Sequence, residues 1–330
     1  MVDSLEHGAG GNRLDWPTLP LAVRAAVEAR LGDRVVRAET QNGGFSPALA
    51  ARLTLAGGDT VFVKAGSGAH NADTARMYRQ EARVVSALPG AVPTPRFRWT
   101  FDHDDWVVLA FDDGAVRPPH VPADRPWSAR PPRLPWRADE RDRVLAALTD
   151  LGRSLTPAPA GVPVSDLSDD QGLTGFRDLA RDGHERLAEA YPWVASRLDL
   201  LAGYESRWPA AAAGDTLLHG DLRADNMLLT PERVLFVDWP AAVRGVAWFD
   251  LVAFLPSLAM QGGGDPEAIV RDHPLTAGAD PADVTAGIAA VAGYFVSASL
   301  RPAPPALPRI REFQRAQALP ALDWLRRRAA

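Results

Sequence analysis

The chain contains no cysteine. Disulfide bonds and thiolate metal sites are therefore excluded, and nothing in the composition calls for an oxidising compartment. Its first residues have neither the basic segment nor the apolar run of a signal peptide, so we expect a cytoplasmic protein. The most apolar run, residues 284–300, is just short of a membrane span and rich in small residues. It predicts a buried helix and no membrane contact.

The chain also lacks an excess of positive charge, because it has 36 basic and 41 acidic residues and a net charge of −5 at pH 7. This balance argues against general nucleic-acid binding and is compatible with a cationic partner. Hydrophobic residues make up 46% of the chain and charged residues 23%, as in an ordinary globular protein. At 330 residues the chain is long for one core, so two lobes or domains are expected.

Lysine is almost absent, since 35 of the 36 basic residues are arginine and Lys64 is the single exception. A compact ammonium on a flexible stem serves where a planar guanidinium does not fit. Lys64 ends a run of β-forming residues, and upstream lies the Gly-rich segment Gln41-Asn42-Gly43-Gly44-Phe45-Ser46. A strand lysine downstream of a Gly-rich loop is how kinases hold nucleotide phosphates. Chance survival of a surface lysine explains Lys64 alone equally well.

The apolar spacing predicts a small antiparallel sheet with one main helix, followed by a mostly helical part. The first part contains predicted strands at residues 35–39, 48–55, 60–65, 96–100 and 106–111, and helices at 19–31 and 73–88. Residues 114–137, rich in Pro and Arg, are predicted to be irregular. Later helices are predicted at residues 139–155, 175–190, 194–208, 250–260, 266–272, 281–300 and 310–328.

A polar loop between short predicted strands interrupts these helices. It reads His219-Gly220-Asp221-Leu222-Arg223-Ala224-Asp225-Asn226, and Asp238 follows after a second apolar run. The order Lys, then Asp-x-x-x-x-Asn, then Asp at a strand end is found in kinases. Phosphoryl transfer needs a cation on the phosphates, hard oxygen ligands for magnesium, and a carboxylate that deprotonates the acceptor. Taken singly, Asp221 could be a helix cap and Asp238 a turn residue, but their joint order favours chemistry.

These motifs resemble the aminoglycoside phosphotransferase and choline kinase-like family, in its antibiotic phosphotransferase branch, which has a protein-kinase-like fold. The loop opens with His219-Gly220-Asp221 where protein kinases carry His-Arg-Asp, and Val237-Asp238-Trp239 stands in place of Asp-Phe-Gly. Trp248-Phe249-Asp250-Leu251 resembles the family's Asp-Leu-Ala signature. The resemblance covers residues 35–300. It implies an α+β bilobal fold, with a small antiparallel sheet and one main helix in a nucleotide-binding lobe (residues 1–112) and a larger, mostly helical catalytic and substrate-binding lobe (113–330).

The resemblance also implies individual roles. Asp221 would be the catalytic base, and Asn226 and Asp238 the magnesium ligands. Lys64 would be the phosphate cation, with Glu81 as its partner. Gly44 and Ser46 would cover the phosphates, and the stretch from Ala110 to Asp112 would meet the adenine. Asp250 would brace the catalytic loop. Apart from the resemblance, we expect His219 to be structural and not catalytic, with its ring tying that loop to the backbone.

Two positions depart from the family's loop, His-Gly-Asp-x-His-x-Gly-Asn: Arg223 stands at the second His and Asp225 at the Gly. Arg223 could reach the transferring phosphoryl group. A structural ion pair of Arg223 with Asp225 or Asp250 explains the substitution as well.

The expected reaction is Mg²⁺-dependent transfer from ATP or GTP to a hydroxyl of a small cationic molecule, an aminoglycoside or cyclic-peptide antibiotic, conferring resistance. The alternatives are a metabolic kinase for an amino alcohol, sugar or amino acid, and a nucleotide-binding pseudokinase. Asp178, Asp182, Glu185 and Glu189 would form an acidic stripe on the predicted helix 175–190, able to receive a polycation. An ordinary solvated face with Arg181 and Arg186 pairs explains the same spacing.

Overall fold

The computed structural model describes residues 13–41, 43, 46–116, 121, 127–169, 171–305 and 307–329. Gly44, predicted to cover phosphates, lies outside the described residues. The strands in these ranges are β1 (Val35–Thr40), β2 (Leu49–Leu55), β3 (Thr60–Ser67), β4 (Phe97–His103), β5 (Trp106–Asp112), β6 (Thr216–Leu218), β7 (Met227–Leu229), β8 (Val234–Phe236) and β9 (Val243–Gly245).

The α-helices in the same ranges are α1 (Leu21–Leu31), α2 (Ala72–Ala87), α3 (Ala138–Ser154), α4 (Gly175–Asp182), α5 (Leu187–Ala190), α6 (Pro192–Ala195), α7 (Leu198–Ser206), α8 (Trp208–Ala211), α9 (Phe249–Met260), α10 (Pro266–Asp272), α11 (Pro281–Leu300) and α12 (Ile310–Arg328). Asp265 and Asp280 accept hydrogen bonds from the first-turn N–H groups of α10 and α11. These two helices therefore begin at the Asp-Pro pairs, as their sequence predicts.

Strands β1 to β5 form one antiparallel sheet in the order β1-β2-β3-β5-β4. Because side chains alternate along a strand, Val61, Val63 and Ala65 of β3 face a core covered by α1. Lys64 points to the opposite face, where α2 packs. Lys64 pairs with Ala50 on β2 and Leu109 on β5, so it lies on a central strand of the sheet.

The rest of the chain is mostly helical and packs around α11. This helix contacts α4, α7, α9 and α12, and most of its residues are buried. It is long and apolar enough to cross a membrane, but 72% of its most apolar window is buried inside the fold. The buried helix predicted at this position is therefore confirmed, as is the α+β architecture with an antiparallel sheet and a larger helical part. The lobe boundary at residues 112 and 113 stays a prediction.

Two long predicted helices are broken in the structure. The helix predicted at 175–190 ends at Asp182, because Gly183 adopts a φ of 67°, which is left-handed backbone. Arg181 forms ion pairs with Asp178 and Asp182. The expectation of one acidic stripe across Asp178, Asp182, Glu185 and Glu189 is wrong, since these residues do not share a helix. Residues 192–211 likewise form three short helices, α6, α7 and α8, where one was predicted.

Candidate active site

Lys64 is the centre of a buried charge cluster. Its Nζ donates hydrogen bonds to both carboxylate oxygens of Glu81, at 2.7 and 2.8 Å, and to Asp238 Oδ1 at 2.7 Å. Burial alone would lower the pKa of Lys64, but the charges of Asp238 and Glu81 outweigh it and raise that pKa. The predicted pair of Lys64 with Glu81 is therefore present, and the ammonium stays charged.

The two carboxylates of this cluster differ. Burial, reinforced by the charge of Asp238, raises the pKa of Glu81, although Lys64 opposes the shift. Burial also works against ionisation of Asp238, but the charge and hydrogen bond of Lys64 outweigh it and lower the pKa of Asp238. Asp238 is therefore the carboxylate that stays negative at the mouth of the cluster, where a cation can approach it.

Asp250, at the start of α9, supports the loop that carries Asp221. Its carboxylate accepts the backbone N–H groups of His219 at 2.7 Å and Gly220 at 2.9 Å. Gly220 has a φ of 79°, and a Cβ there would lie 2.2 Å from the carbonyl oxygen of Ala241. Only glycine fits this position. The bracing role expected of Asp250 is confirmed by these contacts.

The ring of His219 links the loop to the strand that precedes Asp238. Its Nε2 lies 2.9 Å from the carbonyl oxygen of Val237, and the backbone N–H of Asp221 donates to its Nδ1 at 3.3 Å. A ring that donates from Nε2 and accepts at Nδ1 satisfies both contacts. These two contacts confirm the predicted role of the His219 ring in tying the loop to the backbone.

Arg223 lies between two carboxylates of its own loop. It donates to Asp225 at 2.6 and 3.0 Å and to Asp221 Oδ2 at 3.4 Å. Its guanidinium also lies over the ring of Phe313, 5.4 Å from the centroid. Of the alternatives for Arg223, the structural pair with Asp225 is present, and the pair with Asp250 is not among the ion pairs of the described residues. A contact with a phosphoryl group stays a prediction.

The lysine cavity is one of two cavities that share Asp238, and its volume is about 240 Å³. Its walls include Lys64, Tyr78, Phe111, Leu228 and Trp239. The predicted nucleotide-binding residues Ser46, Glu81 and Asp112 also line it. Asp112 is held by Arg96 at 2.8 Å and by Arg98 at 2.6 Å.

Ala110 does not line this cavity. Its side chain is fully buried in the core beneath α1, and its backbone pairs with Val63 and Trp99 on the neighbouring strands. Phe111 and Asp112 of the same stretch do line the cavity, and Phe111 faces it where Ala110 does not because successive side chains of a strand point to opposite faces. A contact of this stretch with adenine stays a prediction. The wall continues through residues 113–115.

Tyr78 is a residue of the lysine cavity that was not predicted from the sequence. Its ring lies 5.7 Å from Lys64 Nζ and forms part of the cavity wall. Tyr78 precedes Glu81 by three residues on α2, so the helical period that places Glu81 at the cavity also places Tyr78 there.

The aspartate chamber is the second cavity, with a volume of about 1110 Å³. It opens at Asp221 and Arg223 and shares Asp238 with the lysine cavity. Apolar side chains from α9, α11, α12 and the segment before α12 make up much of its wall: Phe249, Ala253, Val291, Tyr294, Phe295, Leu307, Ile310 and Phe313. A ligand in this chamber would lie directly against Asp221.

The family can now be stated. A model of the phosphotransferase enzyme family matches residues 38–294, well over half of the chain and a range that includes Lys64, Asp221 and Asp238. The chain belongs to the phosphotransferase enzyme family. It is a phosphotransferase of the small-molecule kinase type, and the resemblance noted in its motifs is confirmed.

Solved structures agree on the fold. Aminoglycoside phosphotransferase APH(4)-Ia is 14% identical, with 94% of this chain and 99% of that chain covered and a TM-score of 0.60. Choline kinase LicA from Streptococcus pneumoniae is 12% identical, with coverage of 93% and 98% and a TM-score of 0.60. Macrolide 2'-phosphotransferase MphH from Brachybacterium faecium is 17% identical, with coverage of 91% and 97% and a TM-score of 0.51. No curated protein sequence matches the chain. The bilobal kinase-like fold is thus confirmed, while these neighbours act on different acceptors by name.

Proposed function

We propose that this phosphotransferase moves the γ-phosphoryl group of ATP, with GTP as the alternative donor, to a hydroxyl of a small molecule. One observation supports this above all: Asp238 lines both cavities, with Lys64 and Asn226 on one side of it and Asp221 on the other. A phosphoryl group held at Asp238 would be within reach of an acceptor hydroxyl beside Asp221. By its name, one structure of a mutant APH(4)-Ia is a ternary complex with AMP-PNP and hygromycin B, so that neighbour binds both kinds of ligand.

In the proposed step, the γ-phosphoryl group is transferred directly to the acceptor oxygen. The acceptor oxygen forms a bond to the γ-phosphorus, and the bond from that phosphorus to the β–γ bridging oxygen breaks, leaving the electron pair on the diphosphate. The hydroxyl proton passes to the carboxylate of Asp221, which later releases it to water. Lys64, aimed by Glu81, faces the donor phosphates. Arg223 holds Asp221 and Asp225 in place from within the loop.

Asn226 and Asp238 would hold the magnesium ion. The amide nitrogen of Asn226 donates a hydrogen bond to the backbone carbonyl of Asp221. The amide oxygen of Asn226 can therefore face a cation. One oxygen of Asp238 binds Lys64, which leaves the second. The described residues contain no cluster of three or more His, Cys, Asp or Glu side chains that could cage a metal. Two protein oxygens suit Mg²⁺, which keeps water and phosphate ligands, and the bound ion would neutralise phosphate charge.

For the acceptor, we infer a hydroxylated antibiotic with a broad apolar face and few amines. Among the described residues, four carboxylates line the chamber, and two of them, Asp221 and Asp238, belong to the proposed reaction centre. Asp73 pairs with Arg76 at 3.2 Å, and Asp169 also has a partner within the structure. A polycation would therefore find few free charges, whereas an apolar face would bury against Tyr294, Phe295 and Leu307.

The size of the chamber supports one of the two enzyme hypotheses over the other. A volume of about 1110 Å³ is slightly above the usual range for ligand pockets, which span roughly 300–1,000 Å³. An amino alcohol or a single sugar would fill a small part of it. We therefore rank an antibiotic-sized acceptor above a metabolic alcohol. Phosphorylation of such an antibiotic would confer resistance.

A nucleotide-consumption assay tests the proposal with the full chain, Mg²⁺, and either ATP or GTP. Three acceptor panels are compared: macrolactones with one tertiary amine, aminoglycosides with several amines, and small alcohols such as choline. We expect the largest kcat/KM with a macrolactone. Preference for aminoglycosides would overturn the acceptor inference but keep the phosphotransferase. Nucleotide binding without turnover on any acceptor would favour the pseudokinase alternative.

A further inference from the structure

The segment at residues 13–16 precedes the part of the chain that matches the family, yet it is tied to both ends of the Gly-rich loop. The backbone N–H of Leu14 donates to the carbonyl of Ala48 at 3.3 Å, just after the loop. Thr40, just before the loop, donates its hydroxyl to Asp15 at 2.6 Å. These anchors give the segment a defined place beside the loop.

Arg13 extends from this segment into the reaction centre. Its Nη2 donates a short hydrogen bond to the carbonyl oxygen of Gly43, within the Gly-rich loop. Its side chain lines both the lysine cavity and the aspartate chamber. Its Nε is buried and has no hydrogen-bond partner among the described residues. The guanidinium thus borders both cavities with donor capacity to spare.

The charges around Arg13 differ from those around the other two cations of the site. Lys64 contacts two carboxylates, and so does Arg223. Among the ion pairs of the described residues, none involves Arg13. When a triphosphate enters, Lys64 and Arg223 are already largely neutralised, and Arg13 supplies positive charge that no carboxylate in the described part of the chain offsets.

We propose that Arg13 is a phosphate-binding residue that contacts the γ-phosphoryl group at the junction of the two cavities. A planar guanidinium can give two charge-assisted hydrogen bonds to phosphoryl oxygens. Charge on the transferring group is what such a donor stabilises, and it does so most strongly where water is excluded. The inference rests on the proposed function, because it requires a nucleoside triphosphate in the lysine cavity.

The test compares Arg13→Gln with the wild-type protein in two measurements made with Mg²⁺. Calorimetry gives the Kd for AMP-PNP and for ADP, which lacks the γ-phosphate, and steady-state assays give kcat. We expect Kd for AMP-PNP to rise about tenfold, as for loss of one charge-assisted contact, with Kd for ADP changing far less. We expect kcat to fall by about 10²-fold. Arg13→Lys, which keeps the charge but not the fork, should lie between the two proteins.

Arg30→Gln is the matched control. Arg30 is an exposed arginine of α1 that lies over the ring of Phe101, away from both cavities, so its loss should leave every value unchanged. Equal weakening of ADP and AMP-PNP by Arg13→Gln would overturn the proposal and leave Arg13 as a brace of the Gly-rich loop. Kd and kcat values of Arg13→Gln equal to those of the wild-type protein would also overturn the proposal. If Arg13→Gln fails to fold by circular dichroism, the same comparison with Arg13→Lys decides. A wild-type protein that binds no nucleotide would instead refute the proposed function itself.

Discussion

The side-chain amide of Asn226 donates a hydrogen bond of 2.8 Å to the backbone carbonyl of Asp221. The same amide nitrogen lies 3.3 Å from Asp221 Oδ2. The backbone carbonyl of Asn226 in turn accepts the N–H of Val237 at 3.0 Å, next to Asp238. The proposed base and both proposed metal ligands are therefore parts of one hydrogen-bonded unit, and variants that keep side-chain shape are the sharpest probes of it.

Asp221→Asn tests the base. We expect kcat to fall by roughly 10²–10⁴, the range for loss of general-base assistance, because an amide cannot accept the hydroxyl proton. Kd for AMP-PNP and the melting temperature should stay close to the wild-type values. The control is Asp199→Asn, an exposed residue of α7. Near-normal turnover would remove Asp221 from this role.

Asp238→Asn tests the metal site. Asp238 has a φ of 70°, a conformation that Asn tolerates and Ala does not, so Asn changes the charge with little strain. We expect the gain in nucleotide affinity that Mg²⁺ provides to be largely lost, because two neutral amides are weak ligands. Calorimetry with and without Mg²⁺ measures this gain. A gain equal to that of wild type would contradict the assignment.

Lys64→Arg tests whether the single lysine is required. The single Nζ atom of Lys64 donates hydrogen bonds to both Glu81 and Asp238. An arginine guanidinium is wider and forked, so it would displace both carboxylates and the phosphates. We expect kcat/KM to fall by at least an order of magnitude, about 1.4 kcal/mol of transition-state stabilisation. Arg76→Lys, at an exposed ion pair, is the matched exchange and should have no effect. Full activity of Lys64→Arg would mean that the lone lysine is accidental.

Tyr294→Ala tests the apolar wall of the aspartate chamber. Loss of the ring removes apolar contact with the acceptor, and we expect KM for the acceptor to rise by about tenfold. KM for ATP should not change, since Tyr294 does not line the lysine cavity. The control is Leu200→Ala, a partly exposed leucine of α7. An unchanged acceptor KM would place the acceptor elsewhere in the chamber.

Glu205 gives a pH-dependent stability. Its buried carboxyl accepts the N–H groups of Phe176 at 3.0 Å and Arg177 at 2.8 Å, at the start of α4. Burial raises its pKa to about 7 from 4.5, although these N–H groups oppose the shift. The unfolded chain therefore loses this proton first. The stabilisation by Glu205 is complete below pH 4.5 and decreases as the pH rises through 7.

Glu205→Gln imitates the protonated form at every pH. We expect the unfolding free energy of the variant, relative to wild type, to improve by about 1–3 kcal/mol between pH 5 and pH 8. Denaturant titrations at both values measure it, with Glu189→Gln, an exposed carboxylate of α5, as the control. A difference that does not vary with pH would show that Glu205 is ionised in the folded protein throughout this range.

The sequence by itself determined the fold class and the order of the chemical groups. The chemistry of phosphoryl transfer requires particular residue types at particular spacings, and this predicted the site residues Lys64, Asp221, Asn226 and Asp238. The polar loop between β6 and β7 was recognised because it interrupts a run of helices. The pairing of Lys64 with Glu81 followed from the helix after the lysine strand. Such features depend on neighbours close in the chain, so local patterns contain them.

Only the tertiary structure decided the rest. Apolar and charge spacing did not reveal the break at Gly183, because the helical period continues across the glycine and only the folded backbone shows its φ of 67°. Strand alternation left open which face of β5 meets the cavity, and packing against α1 placed Ala110 on the other side. Arg13 belongs to no motif, and its segment is placed beside the two cavities by contacts with Thr40, Gly43 and Ala48, far along the chain. Such long-range contacts are set by the shape of the folded chain, and no local pattern encodes them.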